Sequence, residues 1–194
     1  MQIEQAFDGL APNRRTLLKS AAFGLFAFKV AGADMLLSPA EARARRAALT
    51  KLSAEDAARL EAFGEALVPG ARAAGLAHFV DANLARPHGE SLLTVRYLDV
   101  LPPHHTFYKA GLAALDAASR AVLGGPFEGV SAAAARPLIA AMLPGTIAPW
   151  TGPPPALFYL AVRSDAADLV YGTRAAFARM QVPYMAHIEP ATDW

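Results

Sequence analysis

The sequence predicts an all-α fold: a single compact bundle of about six helices with an extended C-terminal tail, preceded by a signal segment. Three observations carry this. The apolar fraction, 54% of 194 residues, is dominated by alanine and poor in β-branched side chains, a bias toward close-packed helices over sheet. Apolar residues recur at helical spacing in blocks separated by Pro69-Gly70, Pro102-Pro103, Gly124-Gly125 and Pro144-Gly145. The length suits one well-buried core, and no composition shift divides it beyond a leader at residues 1–44, which leaves 45–194 as one helical domain.

The leader rests on Asn13-Arg14-Arg15-Thr16-Leu17-Leu18-Lys19 followed by the apolar run Ser20 to Phe28. An arginine pair with Leu17, Leu18 and Lys19 behind it, at this distance from an apolar stretch, fits a twin-arginine export signal, with Leu17 where phenylalanine is usual. The competing reading is a basic N-terminal helix docked on the fold. A retained membrane span over Ala21 to Leu37 is disfavoured, because Lys29 and Asp34 would each cost about 2.5–3.5 kcal/mol near a bilayer centre. Small residues at Ala40-Glu41-Ala42 and Ala42-Arg43-Ala44 fit an A-x-A cleavage rule, while Lys29 is a departure from a clean apolar run.

In the domain, Ser53 with Asp56 forms a capping box ahead of Leu60, Phe63 and Leu67, which predicts a first helix over about 54–68. Phe79, Val80 and Leu84 mark a second, closed by Pro87. Leu92 to Leu98 make a third segment, ended by Pro102-Pro103. The fourth helix, about 105–123, puts Tyr108, Leu112, Leu115 and Ser119 on one face. Ser131 caps a fifth running to Leu143, bent or interrupted at Pro137. After a proline-rich loop carrying Trp150, a long sixth helix runs over about 155–180, weakened only by Gly172. Pro183 and Pro190 keep the tail, 181–194, extended.

Composition narrows the chemistry. Without cysteine there is no disulfide, thiolate metal site, iron–sulfur cluster or thiol nucleophile. Residues 45–194 carry equal numbers of basic and acidic side chains, so no electrostatic case for nucleic-acid binding exists. Histidines 78, 88, 104, 105 and 187 form no H-x-x-x-H or E-x-x-H pair; His104 and His105, after Pro103, read as capping or surface groups. Asp81, Asp116, Asp165 and Asp168 are read as buried partners of arginines such as Arg163 before acid–base groups. No nucleotide loop, nucleophile elbow or H-E-x-x-H occurs, so no catalytic, cofactor-binding or metal residue is assigned.

One pattern embraces most of residues 50–194. Val68-Pro69-Gly70-Ala71, Ala74-Gly75, Phe79-Val80-Asp81, Tyr108-Lys109-Ala110-Gly111-Leu112 with Leu115-Asp116, Val170-Tyr171-Gly172-Thr173, Phe177 and Val182 to Ile188 together resemble the gluconate 2-dehydrogenase subunit 3 family. Tyr171-Gly172-Thr173 departs from the glycine- and asparagine-rich version common there. The resemblance implies a non-catalytic small subunit of a periplasmic, membrane-associated dehydrogenase complex. Its partners would be a large FAD-binding flavoprotein of the glucose-methanol-choline class, often a multihaem cytochrome c carrying haem c, and the twin-arginine translocase, with the leader serving a flavoprotein that lacks one. The alternative is an independent periplasmic helical enzyme or ligand-binding domain. For the flavoprotein contact the candidates are Trp150 and the tail residues Tyr184, Met185, Ile188 and Trp194, since large aromatics and methionine are enriched at interface cores. A tail folded back over the sixth helix is the competing arrangement.

Overall fold

The computed structural model describes residues 25–183, the side chains of 174 and 175 excepted. The fold is mostly helical, as the sequence predicts, with seven α-helices and one small sheet among the described residues.

The described residues open with a hairpin of β1 (Phe26–Val30) and β2 (Ala33–Leu37), paired antiparallel with Phe26 opposite Leu37 and Val30 opposite Ala33. Two residues join the strands, Ala31 at φ 49° and Gly32 at φ 87°, and a turn with both central residues in the left-handed region matches the twist of the strands it connects. Phe26 and Phe28 alternate with exposed Ala27 and Lys29, so a period of two turns both rings inward. The end of the apolar run Ser20 to Phe28 is therefore strand, continuous with Lys29 and Val30. Lys29 and Asp34, which interrupt that run in the sequence, are direct cross-strand partners and form an exposed ion pair at 3.1 Å.

Helix α1 (Pro39–Ala44) follows, closed by a reciprocal capping box between Ser38 and Glu41. Residues 26–44 are therefore packed structure, and the division at 44/45 marks no break in packing: Phe26, Phe28, Leu37 and Ala42 all belong to the core. The predicted first helix is α2 (Ala54–Leu67), with the Ser53–Asp56 capping box in place, and the second is α3 (Leu76–Leu84). The third segment is only a 3-10 turn, Thr94–Tyr97. Helix α4 (His104–Leu123) buries Tyr108, Leu112, Leu115 and Ser119 completely, the face its spacing specifies. Ser131 caps α5 (Ala132–Ala140), which contains Pro137 and stops three residues before the expected Leu143.

The long sixth helix is two helices. α6 (Pro155–Tyr171) ends at Gly172, and Thr173 in extended conformation caps α7 (Arg174–Arg179) through its hydroxyl, which accepts from Ala176 N at 3.1 Å. A glycine followed by a residue that can cap a new start is a stronger break than a glycine alone.

Aromatic rings hold the centre together. Phe63 of α2 stacks on Phe158 of α6 at 5.6 Å and meets Phe127 edge-on at 5.8 Å. Phe158 lies against Gly111 of α4, where a Cβ would come within 2.4 Å of the ring, so α4 and α6 approach this closely only because residue 111 has no side chain. Fully burying such a ring is worth about 1.5–3 kcal/mol. No described helix is long and apolar enough to cross a membrane.

Candidate functional site

The buried polar groups are tied to the scaffold. Asp165, fully enclosed on α6, accepts the Tyr108 hydroxyl from α4 and the Thr94 backbone N–H at 2.8 Å, joining two helices and the 3-10 turn. Burial pushes its carboxyl up to about 6, against the pull of the Thr94 and Tyr108 donors, and burial with the neighbouring carboxylate drives the Tyr108 phenol well above its ordinary range. Asp81 on α3 receives the N–H groups of Thr50, Lys51 and Leu52 at 2.7–2.8 Å and the Thr50 hydroxyl at 3.1 Å. The expected arginine pairing holds for Asp116, which binds Arg120 at 2.8 Å and Arg59 at 3.4 Å; burial alone would raise its carboxyl, and these donors with the Phe127 N–H hold it below the usual value. For Asp81 and Asp165 it is corrected: backbone and phenol donors replace arginine, because each carboxylate is enclosed where a chain segment presents its N–H groups. Asp168 is exposed on the rim of the groove described below.

Because Asp165 has its folded-state pKa above the unfolded value near 3.8, the native state holds this proton more tightly. Its contribution to stability is full below about pH 4 and is lost as pH rises through about 6, a change on the order of 2–3 kcal/mol. Asp165→Asn is expected to remove that decline. Melting temperatures of both chains between pH 4 and 7 check it: the wild-type curve should fall relative to the variant over this interval, and parallel curves would assign the pH dependence elsewhere.

Of the histidines, His78 lies under Phe28 with Nε2 3.2 Å from the Ala47 carbonyl. His88 and His104 meet edge to face at 5.0 Å, His104 Nε2 rests 3.1 Å from the Val100 carbonyl, and burial lowers the His104 pKa. His104 is thus mostly buried rather than a surface group. Among the described residues no group of three or more His, Asp or Glu could hold a metal ion.

A groove of about 1020 Å³ runs between α1, the 69–74 turn, the 3-10 turn at 94–97 and the α6–α7 junction. Phe26, Pro69, Phe79, Leu169 and Val170 give it apolar walls, with Asp168 and Arg179 as its charged members. Tyr97, 69% exposed, stands at its side. Sequence reasoning did not find this groove. Its signal was present but scattered: Pro69-Gly70, Ala74, Phe79 and Val170 with Gly172-Thr173, distant in the chain, share its lining. The gluconate 2-dehydrogenase subunit 3 family matches residues 54–185, about two thirds of the chain. This chain belongs to that family. No curated protein and no solved structure matches it. Membership makes it a subunit of a multisubunit gluconate dehydrogenase type of complex.

The candidate partner residues of this subunit 3 member fall unevenly. Trp150 is half-buried; its indole N–H donates to the Pro153 carbonyl at 2.7 Å and its ring packs on Phe158 at 6.2 Å, so one edge is committed to the fold. Tyr184, Met185, Ile188 and Trp194 lie outside the described residues, as do Arg14, Arg15, Leu17, Leu18 and Lys19 of the export signal. The described chain ends just past α7, whose Arg179 lines the groove, whereas Trp150 packs near the start of α6. From Phe158 to Val170 the helix rises about 18 Å, so Trp150 and the groove lie toward opposite ends of α6.

Proposed function

We propose that this chain is a non-catalytic accessory subunit that takes an FAD-binding flavoprotein of the glucose-methanol-choline type through the twin-arginine route and holds it in a periplasmic complex at the cytoplasmic membrane. The observation that carries the reading is the arrangement of the chain: an arginine pair before an apolar run at 13–28, followed by a subunit 3 match beginning at residue 54. Catalysis lies in the flavoprotein, and a multihaem cytochrome c with haem c takes the electrons onward. This subunit contributes folded export and a docking surface formed by its tail, Tyr184 to Trp194, and Trp150. Burial of a large aromatic at such an interface is worth on the order of 2 kcal/mol or more.

Removing residues 184–194 is expected to leave helicity and melting temperature of the isolated subunit nearly unchanged while abolishing co-purification of the flavoprotein. Circular dichroism and a pull-down with the co-expressed partner check this. Unfolding of the shortened chain would make the tail part of its own core, and undiminished capture would move the docking surface elsewhere. The groove favours a second reading, an independent ligand-binding domain, in which the isolated chain retains a small molecule after dialysis.

A further inference from the structure

Residues 26–44, the described part of the segment that the sequence assigns to the leader, are packed into the fold. Ala42, the residue shared by both A-x-A sites, is completely buried. Its N–H donates to the Ser38 carbonyl at 2.9 Å, and its own carbonyl accepts from Ala47 N at 2.9 Å. The neighbouring carbonyls of Glu41 and Arg43 are taken by Arg45 N at 2.9 Å and Arg46 N at 3.0 Å. Arg43 is clamped by both carboxylate oxygens of Glu61, at 2.9 and 3.2 Å. A peptidase binds its substrate as an extended strand whose backbone groups pair with the enzyme, and here those groups are spent inside a capped helix.

The domain is also shaped to receive the segment. Gly75, at φ 84°, allows the Pro39 carbonyl against its Cα; a Cβ there would sit 2.1 Å from that oxygen. Phe26 meets Phe79 edge-on at 5.8 Å with the Arg86 guanidinium 4.6 Å over its ring, and Phe28 lies against His78 at 5.9 Å. The Lys29 carbonyl accepts from Ala48 N at 2.9 Å. Phe26, Ser38, Pro39 and Ala40 form one wall of the groove.

We infer that the Ala42–Arg43 and Ala44–Arg45 bonds are closed to leader peptidase, and that residues 26–44 stay in the working subunit as the wall of its groove. Any cut that removes the arginine pair falls before Phe26. Phe26 and Phe28 then belong both to the apolar run of the signal and to the core. The inference rests on the proposed export only for the presence of a leader to be cut.

The test uses the full chain. Expressed with its leader and recovered from the exported fraction, it is expected to retain residues 26–194 by intact mass; a folded product beginning at Arg43 or Arg45 overturns the inference. Absence of any exported product counts against the export reading alone. The processing question is then decided on chain purified from the cytoplasm and treated with detergent-solubilised leader peptidase. No cleavage after Ala42 or Ala44 is expected in the native chain, with a gain of about tenfold or more in Phe28→Asp, whose hairpin is expelled. Should that variant not be recoverable, Gly75→Ala, which forces α1 off the domain, is expected to give the same gain. Wild-type cleavage at these bonds as fast as in the variant overturns the inference.

Discussion

Replacing Arg14 and Arg15 together by lysine is expected to leave this chain and its flavoprotein partner in the cytoplasm. The exchange keeps both positive charges, so a merely electrostatic attraction of the N-terminus to an anionic membrane would survive it. What it removes is the planar guanidinium pair with its fixed, forked donors, and loss of that recognition is expected to lower export by about tenfold or more. The partner's fate is the sharper readout. Fractionation followed by assay of each subunit decides the matter: if the small subunit is retained while the flavoprotein reaches the periplasm at its usual level, the carrier role fails even though the signal is real. The helicity of the domain is expected to be untouched, which circular dichroism of the variant checks.

The largest expected effect on stability is at Asp81. Its carboxylate, 2% exposed, satisfies three successive N–H groups of the linker between α1 and α2, together with the Thr50 hydroxyl. In Asp81→Ala water can reach the part-buried amides of the exposed residues Thr50 and Lys51, but the buried Leu52 amide, beside a side chain only 5% exposed, is left without an acceptor. Losing charge-assisted bonds and orphaning one buried donor costs on the order of 3 kcal/mol. For a domain of this size that is a fall of about 10 °C in melting temperature. Asp81→Asn keeps one acceptor oxygen and is expected to fall between. A change within about 2 °C for the alanine variant would show that the linker re-solvates freely and that the carboxylate is no structural tie.

Both effects concern residues the sequence displays openly, but what holds Asp81 is not legible there. The arginine pair is read from order along the chain. Asp81 was also singled out, but the partner expected for it was an arginine, and three amides thirty positions away took that place. Backbone donors carry no mark in a sequence, so a carboxylate that caps a linker looks the same as one in an ion pair until the chain is folded.

The sequence by itself determined the α2 capping box, the buried face of α4 and the cap at Ser131, because each depends on residues within a few turns of one another, where spacing and capping chemistry act, and it determined the helical class and the family through composition and the order of short motifs along the chain. Tertiary structure alone decided the rest. Phe26 to Leu37 reads as an apolar run with two stray charges until strand pairing puts Lys29 opposite Asp34 and the rings against α3, a contact between segments some fifty residues apart. The groove came from the 69–74 turn meeting the α6–α7 junction about a hundred residues later in the chain, whereas the break at Gly172 is a local feature, a cap at Thr173 that the spacing alone did not weigh. Local propensity sets which elements form; which surfaces they bury together depends on contacts that no short window of sequence contains.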